Sequence, residues 1–221
     1  MPTNLELAAE AQAIVLAQVI AGALDEGGDP FASTITIRPL ETIKGALPKG
    51  DIPLYGMMLS RDADPELGLV SEPHEFDRPH PVSYIGACVR FIFPLGTTAV
   101  FLLRRDEAGK WVPAGGAFSR WAEDVADADA PWARLVRLYA RAVALPESER
   151  RALLEAERTT LEQRSDDPVA RLMAADVARQ LAGPRQPDAY ALLSTDEPAA
   201  VESSVEAELR RMRRAAIEAG N

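Results

Sequence analysis

Between Ala13 and Gly22 the chain reads AIVLAQVIAG, almost wholly apolar, and its length together with Gly27–Gly28 soon afterwards predicts a buried strand rather than a helix. Past the connecting loop LDEGGDP, the stretch Ser33–Gly50 reads STITIRPLETIKGALPKG. Here Ile35 and Ile37 alternate with Thr34, Thr36 and Arg38, the period of two expected of a half-buried strand. Beyond Pro39 the phase slips, so that Leu40 and Ile43 take the inward positions and a bulge or bend near Arg38–Pro39 restores the face. Proline has no N–H to give a central ladder, which puts this point at a sheet edge or in the bulge itself. Lys44–Gly45 and Lys49–Gly50 mark turns, and Asp51–Tyr55 resumes as a short strand with Ile52 and Leu54 on one side. Further strands are expected at Val82–Phe93, with Val89, Phe91 and Phe93 inward and Arg90 outward, at Thr97–Arg104, and at Lys110–Pro113. Gly115–Gly116 closes the β region.

The helical period appears at both ends of the chain. Asn4 caps a short helix running to about Ala11. From Pro131, the spacing of Trp132, Leu135, Val136, Tyr139, Ala142 and Val143 predicts a helix that Leu145–Pro146 ends. Glu147–Arg164 follows as a second, and the acidic caps and proline of SDDP start a third on Val169, Leu172, Met173, Val177 and Leu181, stopping at Gly183–Pro184. A short segment PDAYALLS leads to a last helix at about residues 198–219. The expectation is an α+β protein with an OB-like β-barrel of five or six strands over residues 1–125, and an α-helical domain of about four helices, residues 131–221, packed on it.

The order of elements carries a resemblance. A short leading helix, a buried strand, a strand ending in IKG, a charged loop, a strand leading into FPLG, and AVFLLRR followed by GKWVP resemble the bacterial relatives of the netrin-like domains, an uncharacterised exported type. Those share a five-stranded OB-type barrel with the tissue inhibitors of metalloproteinases. The resemblance covers roughly residues 5–125 and implies a periplasmic or secreted protein, although no signal peptide stands in the sequence given. Inhibitors of that class act through an N-terminal cysteine. The only cysteine here is Cys88, so that route is not implied.

Composition narrows the partners. A content of 47% hydrophobic and 26% charged residues is that of a folded globular chain, and no apolar run reaches the length of a membrane span. The formal charge is −10, and residues 1–130 hold 10 Lys+Arg against 19 Asp+Glu. That field repels phosphate backbones, so nucleic acid is set aside as a partner even though many OB-type barrels bind it, and the run Arg210, Arg211, Arg213, Arg214 reads as the solvated side of a helix.

Candidate chemistry is sparse. The loop from Gly56 to Pro81 holds His74, Glu75, Asp77 and His80, side-chain types that zinc accepts, with Cys88 beyond; neither gap matches a structural-zinc spacing. Asp62, Asp64 and Glu66 begin like a calcium loop, but Pro65 intrudes. There is no G-x-S-x-G elbow and no phosphate-cradling glycine pattern. Trp111, Phe118, Trp121 and Trp132 fall near the junction of barrel and helices, where they form an interdomain core or, if exposed, a partner surface. The functional expectation is a non-enzymatic binding module without a cofactor, its partner a protein, with Trp111, Phe118, Trp121 and Asp77 as contact candidates. Two alternatives stand beside it: a metal-dependent enzyme using His74, Asp77 and His80, and a protease inhibitor acting through the 56–81 loop.

Overall fold

Strand β1 (Ala13–Ala23) is apolar at nearly every position, and over Ala13–Val19 both of its faces are covered. Ala13, Val15, Ala17 and Val19 enter one hydrophobic core, while Ile14 and Leu16 enter another on the opposite face. The computed structural model describes residues 2–24, 32–60, 70–84 and 88–183. The expected last helix, the segment PDAYALLS and the Asp62–Glu66 stretch lie outside them.

Around β1 an antiparallel sheet curls. β2 (Thr34–Lys44) pairs with β1 on one side and β3 (Ile52–Tyr55) pairs with the far edge of β2. β4 (Met58–Leu59) forms a two-stranded parallel pair with β5 (Ile92–Phe93). β6 (Thr98–Arg105) lies on the other side of β1 and carries both β7 (Trp111–Pro113) and β8 (Ala122–Asp124), giving the path β3-β2-β1-β6-β7 with β8 beside β6. The two ends of this path approach each other, where the Lys110 ammonium sits 4.5 Å over the Tyr55 ring.

The slip in β2 is real and falls one residue later than the pattern suggests. Ala17 faces Pro39 and Leu16 faces Glu41, so Leu40 is the extra residue, and it points to solvent at 56% exposure rather than inward. Pro39 is tolerated because β3 pairs only Thr34–Ile37 of β2, leaving the proline beyond its end. Further register shifts on either side of this one add to the curl.

The IKG ending of β2 fastens the first helix. α1 (Asn4–Glu10) starts from a capping box in which Thr3, one residue before the expected Asn4, accepts from Glu6 N while Thr3 N donates to the Glu6 carboxylate. At the other end the Lys44 ammonium donates to the carbonyls of Ala8 at 2.7 Å, Ala9 at 3.2 Å and Ala11 at 2.6 Å. Gly45 has φ of +76°, and a Cβ there would lie 2.0 Å from the Gln12 carbonyl oxygen, so only glycine fits.

Three helices cover the outer face: α2 (Pro131–Val143), α3 (Glu147–Glu162) and α4 (Pro168–Ala182), the last capped by Asp167. Trp132, Leu135, Val136 and Tyr139 of α2 join Leu154, Leu161, Met173 and Val177 with Ile14, Leu16, Val100 and Leu102 of the sheet. Residues 1–185 therefore form one compact unit, α+β in class, with four helices among the described residues.

Candidate functional site

The expected strand Val82–Phe93 does not form as one element. Pro81–Tyr84 is a 3-10 turn and, among the described residues, only Ile92–Phe93 is strand; Arg90, expected outward, turns in to the Asp124 carboxylate brought by β8. Neighbouring strand residues Glu123 and Asp124 both turn toward the segment 70–84 and use nearly all their oxygens there. Ser71 Oγ donates to Glu123 Oε2 at 2.6 Å and accepts from Asp124 N at 2.9 Å, while Ser71 N donates to Asp124 Oδ2 at 2.9 Å. His80 N donates to Glu123 Oε1 at 3.0 Å, and His80 Nε2 lies 3.2 Å from Asp124 Oδ2.

Two arginines complete the cluster. Arg90 is 1% exposed, with Nη2 at 2.8 Å from Asp124 Oδ1, Nη1 donating to Ala122 O, and its guanidinium 4.3 Å over the Phe93 ring. Arg120 donates to Arg78 O, lies 3.7 Å from Glu123 Oε2 and stacks 4.4 Å over Trp132. Two cations thus face two anions, the balance that makes such charges tolerable in a dry interior. Asp124 stays below the usual carboxylate range: burial pushes it up, but the His80 hydrogen bond and the Arg90 charge outweigh that.

This geometry is not that of a hydrolytic triad. The ring nitrogen His80 Nδ1 accepts from Val82 N at 3.1 Å, so the imidazole carries its proton on Nε2 and gives it to Asp124. In a triad the second nitrogen would take the serine proton. Here it is occupied by backbone, and Ser71 is bonded to Glu123 instead. The cluster holds the 70–84 segment against β8.

Beside it a cleft of about 510 Å³ opens between residues 70–73, the turn 125–130 after β8, and the first turn of α2. Val70, Pro73, Val125, Pro131 and Trp132 give it apolar walls, Glu123, Asp124 and Arg120 its polar side, and Glu72, Asp127 and Asp129 its rim. Val70 is 65% exposed there. Ala130 occupies the cap position of α2 without a side-chain cap.

The residues singled out in the sequence are dispersed. Trp121 is fully buried inside the sheet, its Nε1 donating to Arg90 O at 3.2 Å, and Trp111 is buried in the same core under Arg105. Trp132 belongs to the other core, against the helices. Phe118, half-buried with φ of +58°, packs 5.4 Å from the exposed Tyr84. Asp77 is exposed and pairs with Arg179 of α4 at 3.8 Å. His74 sits in the open 3.8 Å from Glu72, whereas His80 is buried on Asp124. Among the described residues, no group of three or more His, Cys, Asp or Glu side chains gathers where it could hold a metal ion. The cleft and its supports Ser71, Arg90, Glu123 and Asp124 were not foreseen. The only sequence trace is that apolar and acidic residues alternate in WAEDVADADAPW, a pattern too short to read as strand and rim.

Comparison with family models, curated proteins and solved structures finds no match to this chain.

Proposed function

We propose that this protein is a non-enzymatic binding module for a protein partner, built on a netrin-like, OB-type barrel, and that the cleft beside β8 is where the partner's segment is received. The strand path β3-β2-β1-β6-β7, with its two ends facing each other, supports the OB reading. The observation that carries the binding reading is the division of labour at β8. Ser71, His80, Glu123 and Asp124 are bonded within the internal network, while an open cleft with apolar walls stands next to it. Such a cleft suits a few residues of an inserted peptide.

The test is selection of a random peptide library displayed on phage against the folded protein, counter-selected on an Ala126→Trp variant. Ala126 is exposed on the cleft wall, and an indole there takes up space in the cleft. Clones enriched on the wild type and lost on the variant, with the peptides recovered intact by mass spectrometry, are expected. No discriminating clone, or hydrolysis of selected peptides that His80→Ala abolishes, would overturn the reading.

A further inference from the structure

We infer that the occupant of the cleft is a peptide segment presenting a lysine or arginine side chain flanked by apolar residues. This rests on the binding reading above and goes beyond it by naming the chemistry of the ligand. The lining contains five carboxylates and a single cation, Arg120. Two of the five, Glu123 and Asp124, are used against Arg120, Arg90 and His80. Glu72, Asp127 and Asp129 remain at the mouth. Arg137 offsets them only in part: its guanidinium forms a two-point pair with Glu41, with Nε to Oε1 at 2.9 Å, while its Nη1 donates to Ala128 O at 2.6 Å and Asp129 adds to the charge around it.

The opposing influence is small. The uncapped first turn of α2 points its free N–H groups toward the same space and favours an anion. A helix N-terminus is worth about half a positive charge, against three carboxylates at the rim. The cleft is therefore cation-selective at its mouth, and a free anion is the wrong guest.

The walls and floor specify what carries the cation. Val70, Pro73, Val125 and Pro131 line an apolar passage suited to the methylene stem of a lysine or arginine. Below them, Trp132 and Arg120 are 3% and 4% exposed, and neither Trp132 Nε1 nor Arg120 Nε finds an acceptor among the described residues. A buried donor left without an acceptor costs about 1–3 kcal/mol. Both nitrogens are covered, so the occupant is held by the rim and the walls rather than by them. One occupant thus answers the rim and the walls together.

The experiment is fluorescence anisotropy with a fluorescein-labelled LRLRL peptide and its citrulline counterpart, in which each guanidinium becomes an uncharged urea of the same shape. Both are titrated into the full-length protein, an Asp127→Asn/Asp129→Asn double variant, and Ala126→Trp. Saturable binding of the arginine peptide is expected, at least tenfold weaker for the citrulline peptide. It should weaken tenfold or more in the double variant, which should retain the wild-type melting temperature because both aspartates are exposed. Binding should be lost in Ala126→Trp. Equal binding of the two peptides, both lost in Ala126→Trp, would overturn the cation preference and leave the cleft reading standing. Failure of the arginine peptide to bind would overturn this inference, while the binding reading would still stand or fall by its own selection.

Discussion

Glu123 is 2% exposed and accepts from Ser71 Oγ and His80 N with Arg120 beside it, so its carboxylate holds two points of the 70–84 segment against β8. Glu123→Ala removes the anion but leaves Arg120 buried, and it is expected to destabilise the protein by about 3 kcal/mol in urea unfolding. Ser71→Ala, which removes one neutral hydroxyl, should cost about 1 kcal/mol in the same assay. Asp124 responds to pH in a defined direction. Its folded value is depressed, so its stabilising contribution is present above the ordinary carboxylate value of about 4 and is lost as pH falls through the lower folded value. The stability difference between wild type and Asp124→Asn should accordingly shrink below about pH 4 in acid unfolding curves. Tyr139 gives the opposite sign. Burial first, and then the neighbouring Asp176 carboxylate that its hydroxyl donates to, push its folded value well above normal. Its contribution is present below about pH 10 and is lost as pH rises beyond it, so Tyr139→Phe should flatten the alkaline limb of the stability profile.

Among the elements, those with a sustained period were legible in the sequence and those held by distant partners were not. α2 and α4 begin at their expected prolines and α4 at its expected acidic cap, since such signals lie within one turn of chain, although Leu172, placed on the apolar face of α4 by its spacing, is 44% exposed. β1 was legible as buried because an uninterrupted apolar run is what two covered faces require. β8 is only three residues long and shows no alternation, and its role comes from Ser71 and His80, 52 and 43 positions away. Arg90 looked outward by alternation. Nothing local could show that Asp124 and the Phe93 ring wait for it inside. The IKG motif was visible as a turn, but its lysine's hold on α1 was not. Gly45→Ala tests that junction: a forced positive φ together with a clash against the Gln12 carbonyl is expected to cost about 3 kcal/mol or prevent folding, read as a fall in melting temperature.

For the molecule as a whole, the telling feature is that β1 and β6 divide two cores. Val15, Phe101 and Trp121 fill the inside of the curled sheet, and Leu16, Val100 and Leu102 belong to the helical side. A fragment of residues 1–125 would keep the first core and expose the sheet face of the second, including Ile14, Leu16 and Leu102. It is expected to bind a hydrophobic dye and to lack a cooperative melting transition, whereas residues 1–185 should melt as one unit. A cooperatively folded 1–125 fragment would instead establish the barrel as an independent domain.

The buried polar knot on α4 carries a further consequence, for synthesis. Asn4 Nδ2 donates to Phe76 O at 2.7 Å and to Asp176, 172 positions away, and Leu5 N donates to the Gln180 side chain. At translation speeds of about 5–20 residues per second, the first helix waits roughly 10–30 s for these partners to leave the ribosome. The first helix made among the described elements is thus among the last to be secured. A nascent chain stalled before α4 should be cut by protease near its beginning, and a released chain should not.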